Sequence, residues 1–272
     1  MEDLDGYMVS ATDGKIGHVK DFLFDDHAWV VRYFVVETGT WLSSRKVLIS
    51  PIAVHDSEWF EKTLPVSITM EQVRNSPDVD TDRPVSRQYE SDYLGYYGYP
   101  YYWDGEGLWG GGMYPYAMFP GHIINGSASA GLRDVDRAYA SALKNRHRND
   151  DPNLRSCNAV SGYRIQTNDG GIGHVSGFLV DDKTWVLRYM IVDTSNWWLG
   201  HKVLIAPEWI DDVSWTDQAV SIDLDRQAIR DAPAYDSSVQ LTRRLERSLY
   251  HHYNRSGYWP EDARDESEMA DA

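Results

Sequence analysis

One cysteine in 272 residues, Cys157, rules out an internal disulfide framework. No histidine or acid stands beside it in the pattern of an activated thiol, so a reducing compartment suits the chain. Basic residues are also short in supply. Against 26 Lys and Arg stand 42 Asp and Glu, a formal charge of −16, which repels the phosphates that dominate nucleic-acid affinity. DNA, RNA and anionic lipid are therefore not expected partners. No apolar run reaches the roughly 20 residues a membrane-crossing helix needs, so no transmembrane segment is expected. The start, Met1-Glu2-Asp3-Leu4-Asp5, is acidic where a secretory leader is basic. The expectation is a cytoplasmic protein. Phenylalanine is scarce at 6, whereas Trp and Tyr reach 11 and 18, favouring large rings that bury area while keeping a polar handle. Apolar residues at 42% supply enough material for a core, which excludes disorder throughout.

The chain repeats itself at an offset of 156 residues, from Gly6-Tyr7 to Gly162-Tyr163. Asp13-Gly14 recurs as Asp169-Gly170, and Ile16-Gly17-His18-Val19 as Ile172-Gly173-His174-Val175. Phe22-Leu23 and Asp25-Asp26 recur as Phe178-Leu179 and Asp181-Asp182, and Trp29-Val30 and Arg32-Tyr33 as Trp185-Val186 and Arg188-Tyr189. Lys46-Val47-Leu48-Ile49 and Pro51 have counterparts ending at Pro207, and Arg87, Glu90, Tyr97 and Trp103 return as Arg243, Glu246, Tyr253 and Trp259. The repeat divides the chain into a first module at 1–103, a connector with a helix at 104–155, a second module at 156–260 and an acidic tail at 261–272.

Each module alternates β-branched and aromatic runs with Gly and Asp turns, the pattern of a small all-β barrel or sandwich. Strands are predicted over 7–11, 16–24, 29–37, 45–50 and 65–69, and again in the second copy. Asp13-Gly14 and Asp169-Gly170 read as hairpin turns in which Gly supplies positive φ. Gly17 and Gly173 read as points of close backbone approach. Short helices are predicted before Pro77 and Pro233 and over 87–97 and 243–253, each of the longer pair docking aromatics on its own barrel. Residues 98–126 are rich in Gly, Pro, Tyr and Trp without a period, hence an irregular connector, with a helix over 132–148.

Asp-Gly-x-Ile-Gly-His-Val, then Phe-Leu-x-Asp-Asp, Trp-x-x-Arg-Tyr and Lys-Val-Leu-Ile-x-Pro, resembles the PRC-barrel family in both copies. That family is named for the cytoplasmic domain of the photosynthetic reaction-centre H subunit, and a related barrel ends a ribosome-maturation factor. The resemblance implies a mainly β fold, two small PRC-type barrels in tandem with short peripheral helices and an irregular Tyr/Gly-rich connector. It implies no catalytic residue set and no cofactor. The implied function is a non-enzymatic adaptor or scaffold for a protein partner, with a membrane-associated assembly of the reaction-centre kind as one setting. The two barrels are expected to pack together within the chain, with homo-oligomers a further option.

Several residues invite sharper chemistry. His18 and His174 follow Gly at matching places, and with the turn carboxylates Asp13, Asp25, Asp26, Asp169, Asp181 and Asp182 they suggest Ca²⁺ or Mg²⁺ binding. The rival reading from another class is thus a metal-dependent hydrolase or small-ligand protein with its site between the barrels. Against it, the His residues lack a second ligand at metal spacing and Asp is also a preferred turn residue. Arg32 and Arg188 sit among apolar strand residues, so a buried ion pair with Glu37, Asp193 or a turn Asp is expected. Among the connector aromatics, Trp109, Tyr114, Tyr116 and Phe119 are expected to remain uncovered and to contact a partner.

Overall fold

The computed structural model describes residues 4–54, 62–79, 85–120, 154–194 and 200–259. The expected helix over 132–148 and the acidic tail lie outside the described residues. The chain divides into two compact units: Met1–Ala159 with Val180–Leu187, and Val160–Leu179 with Arg188–Ala272. Both are mainly β.

In the first unit, β1 (Met8–Ala11), β2 (Gly14–Asp25), β3 (Val30–Thr38), β4 (Lys46–Ile49) and β5 (Thr63–Pro65) form one sheet in the order β4-β3-β2-β1-β5. The first three neighbours pair antiparallel, and β1 pairs β5 in parallel. β2 is long enough to serve two partners along one edge while β3 pairs along the other. Its first half pairs β1, and Leu23, Phe24 and Asp25 pair β6 (Leu154–Ser156) after register shifts that bend the strand.

β3 is apolar on both faces and is buried from Val30 through Val36, as its unbroken Val, Tyr and Phe run requires. Gly17 meets it closely: a Cβ there would lie 2.0 Å from the Glu37 carbonyl oxygen. Gly14 differs from expectation. Its φ is not positive, and its missing Cβ instead makes room for the Met70 sulfur, 2.4 Å from where that carbon would sit.

The expected closed barrel is corrected to an open, curved sheet. Among the described residues no strand pairing joins the β4 and β5 edges. Pro51 follows β4 and has no N–H to continue the ladder, so the chain turns through the 3₁₀ segment Pro51–Ala53, capped by the Ser50 hydroxyl. It then returns to the far edge, where Val54 bridges Val66. The last strand accordingly falls at Thr63–Pro65 rather than at 65–69.

The second unit builds β7 (Arg164–Thr167), β8 (Gly170–Val180), β9 (Leu187–Asp193), β10 (Lys202–Ile205), β11 (Ile210–Ser214) and β12 (Ala219–Ile222) in the order β10-β9-β8-β7-β12-β11. The counterparts of the first five strands keep their neighbours, including a parallel β7–β12 pair. Ile210 pairs Ile222, the positions 156 after Val54 and Val66. Gly170 does take positive φ, 131°, and a Cβ on Gly173 would lie 2.2 Å from the Asp193 carbonyl.

Of the five helices among the described residues, four fall at the expected places, and the short Cys157–Val160 turn is one that the sequence pattern does not mark. α1 (Met70–Arg74) begins on a Thr69–Gln72 capping box, and α2 (Arg87–Tyr97) on a Ser86 cap. α3 is the turn Cys157–Val160, and α4 (Arg226–Arg230) and α5 (Arg243–His252) complete the set. No helix among the described residues is long and apolar enough to cross a membrane.

Candidate functional site

At the centre of β3, Arg32 is 1% exposed, and a guanidinium so deprived of water needs charge and hydrogen bonds in return. The turn residue Asp25 provides both, its carboxylate accepting a hydrogen bond at 2.9 Å. The same carboxylate accepts the backbone N–H groups of His27 and Ala28. Burial pushes the Asp25 carboxyl up, but the Arg32 charge and these donors outweigh it and hold the group below its ordinary value. Arg32 also donates to the Leu108 carbonyl. Its flat head lies 3.8 Å from the centre of the Tyr102 ring and 4.9 Å from Trp109, so the connector closes over it by cation–π contact.

A second buried carboxylate adjoins this pair. Glu90, on α2, accepts hydrogen bonds from the Tyr102 and Tyr33 hydroxyls and pairs with Arg87 at 3.3 Å. Burial pushes its pKa up to about 7, with Tyr102 and Arg87 opposing that rise. The Tyr102 ring thus joins β3, α2 and the connector through one side chain. Arg87 also stacks over Trp103 at 4.1 Å.

The second unit builds a cluster from recurring residues. Glu246 accepts from Tyr189 at 2.7 Å and Tyr258 at 2.8 Å and pairs with Arg243 at 2.8 Å. Arg188 lies 4.4 Å from the Tyr258 ring centre, and Arg243 packs 4.6 Å from Trp259. Tyr258 follows Tyr102 by 156 residues, as Glu246 follows Glu90.

The four connector residues expected on the surface divide. Trp109 is corrected: it is 1% exposed, and its indole N–H donates to the Thr184 carbonyl at 3.0 Å. Covering Arg32 consumes the ring that sequence reasoning left uncovered. Tyr114, Tyr116 and Phe119 are half-buried; the two tyrosines stack at 5.7 Å, and Phe119 leans on Tyr99 at 6.0 Å. Two tyrosines outside that set of four are exposed, Tyr96 at 41% and Tyr101 at 39%. Tyr101 stacks flat on Trp103, 4.9 Å away with planes 14° apart. Their neighbours Tyr97, Tyr99 and Tyr102 are buried.

The residues considered for metal binding are spread out. His18 is exposed and His174 half-buried. Asp13 accepts the Met70 N–H at the start of α1, and Asp169 accepts the Arg226 N–H at the start of α4, each at 2.8 Å. Asp26 pairs with Arg155 at 2.8 Å. Among the described residues no three His, Cys, Asp or Glu side chains gather as a metal cluster.

Within this mainly β module Asp25 pairs with Arg32 and Glu90 with Tyr102, while the outer rings Tyr96 and Tyr101 remain partly open. Residues 2–72 match the family model of the PRC-barrel domain. No curated protein matches the chain.

Proposed function

We propose that the chain is a non-enzymatic adaptor of two PRC-type modules in tandem, 1–103 and 156–260, that holds a protein partner against the outer aromatics of its connector. The observation that carries this reading is the PRC-barrel match at residues 2–72, because domains of that family generally serve as docking modules. The chemistry of the end of α2 and of the residues after it supports it: Tyr96, Tyr101, Tyr114, Tyr116 and Phe119 offer ring area with little rotamer entropy to lose, the composition that contact surfaces favour. The charge of −16 favours a partner with a basic face. A membrane-associated complex is one place where such an adaptor works, in the manner of the reaction-centre subunit.

The test is affinity purification of the tagged full chain from its own cells, beside a variant carrying Tyr101→Ser, Tyr114→Ser and Tyr116→Ser. A stoichiometric protein held by the wild type and lost by the variant at unchanged melting temperature is the expected result. Equal retention by both would move the contact away from the connector.

A further inference from the structure

The turn between β2 and β3 reads Asp25-Asp26-His27-Ala28-Trp29-Val30, and the segment Val180–Leu187, which belongs to the same compact unit, repeats it as Asp181-Asp182-Lys183-Thr184-Trp185-Val186. Both turns are built alike. The Asp25 carboxylate accepts the N–H groups of the second and third residues after it, and so does Asp181. Trp29 and Trp185 each donate their N–H to the carbonyl of their Asp, at 2.8 and 2.9 Å, and each takes positive φ, 52° and 61°. That backbone is strained for a bulky residue and persists only where the surroundings over-determine it.

The two tips bind each other. The Val31 N–H donates to the Trp185 carbonyl at 2.9 Å, the Leu187 N–H donates to the Trp29 carbonyl at 2.7 Å, and Val30 faces Val186 between them as an antiparallel bridge. Adding 156 turns residues 29 and 31 into 185 and 187, so exchange of the two segments carries each hydrogen bond onto the other. A contact unchanged by exchange of its halves is isologous, which is the geometry of a two-fold dimer. The contact is also dry: all six residues, Trp29, Val30, Val31, Trp185, Val186 and Leu187, are 3% exposed or less. Trp185 packs on Phe34 at 4.8 Å and Trp29 on Phe24 at 5.3 Å.

We infer that the Asp-Asp-x-x-Trp-Val tip is a self-complementary docking edge whose fitting partner is another tip of the same sequence. Within one chain the partner is the second tip. When that internal pair is opened, the Trp29 carbonyl and Val31 N–H match the same two groups of a second copy of the chain, with Val30 facing Val30. This inference stands on the tip geometry and holds whether or not the connector binds a protein.

Leu187→Pro in the full chain tests it, since proline removes the N–H that bonds Trp29 and leaves the first tip intact. Sedimentation across a concentration series should show the variant doubling its mass relative to wild type. Val30→Cys added to it should form an interchain disulfide, because such bridge residues lie about 4.5 Å apart at Cα, within disulfide reach. Adding Val31→Pro should abolish both. Val186→Asp, which opens the pair by setting a charge against Val30 while keeping every N–H, carries the same expectations should Leu187→Pro fail to fold. A folded variant of either kind that keeps the wild-type mass without cross-linking overturns the inference, as does cross-linking that survives Val31→Pro.

Discussion

Arg32 and Arg188 occupy matching positions in the repeat, yet one is sealed and the other half-buried. Both rest on a tyrosine ring, Tyr102 or Tyr258, that also holds a glutamate. The difference comes from outside the shared pattern. Trp109 and the Leu108 carbonyl cover Arg32, whereas the position 156 after Trp109 is Asp265. The recurring residues thus specify the inner glutamate–tyrosine–arginine contacts, and the non-recurring Leu108 and Trp109 add the cover over Arg32.

The largest effect should fall on that sealed arginine. Arg32→Met leaves Asp25 buried without its cation and should cost about 3–5 kcal/mol of unfolding free energy, read from the denaturant midpoint. Arg188→Met, at a half-buried site where water screens the charge, should cost about 1 kcal/mol. Equal losses would break the comparison.

Glu90 sharpens it through pH. Its pKa of about 7 in the fold lies above its ordinary value, so the folded state gains stability when Glu90 is protonated and loses it as pH rises through about 7. At about 1.4 kcal/mol per unit, Glu90→Gln should remove a destabilisation of about 3 kcal/mol at pH 8 and change little below pH 4.5. Asp25 has the opposite sign: held below its ordinary pKa, it stabilises above that value, and the gain disappears as pH falls through the folded pKa. Chemical unfolding of wild type and Glu90→Gln across pH 4 to 9 checks the Glu90 slope, and carrying the wild-type series down below pH 3.8 checks that of Asp25.

Gly17→Ala should cost about 1–3 kcal/mol, the usual range for forcing atoms into a packed site, since its Cβ would meet the Glu37 carbonyl at 2.0 Å. Thermal melting measures it. Smallest of all should be Tyr101→Ser, Tyr114→Ser and Tyr116→Ser, within about 0.5 kcal/mol each as for most surface changes.

Much of this organisation is legible in the residues. The β-branched runs mark the first four strands to within about two residues, and apolar sequence on both faces of β3 correctly requires cover on both sides. A charge partner for Arg32 follows from its apolar neighbours, and the turn Asp among the candidates is the one that supplies it. What is not legible depends on distant parts of the chain. Nothing local marks Trp109 as the lid on Arg32, because an aromatic among glycines reads the same whether it lies over a guanidinium or faces water. The membership of Val180–Leu187 in the first compact unit is equally hidden, since that segment carries the same turn residues as its counterpart. Ring closure fails to show for a similar reason: periodicity describes strands and not which edges meet.

The most direct test of the adaptor reading is mild affinity purification of the full chain, with mass spectrometry of the proteins and metals retained, beside the Tyr101, Tyr114 and Tyr116 triple serine variant. A defined protein bound in stoichiometric amount to the wild type, and lost by a variant that melts at the same temperature, is the predicted result. A preparation free of protein partners but carrying a bound metal or small molecule would contradict it.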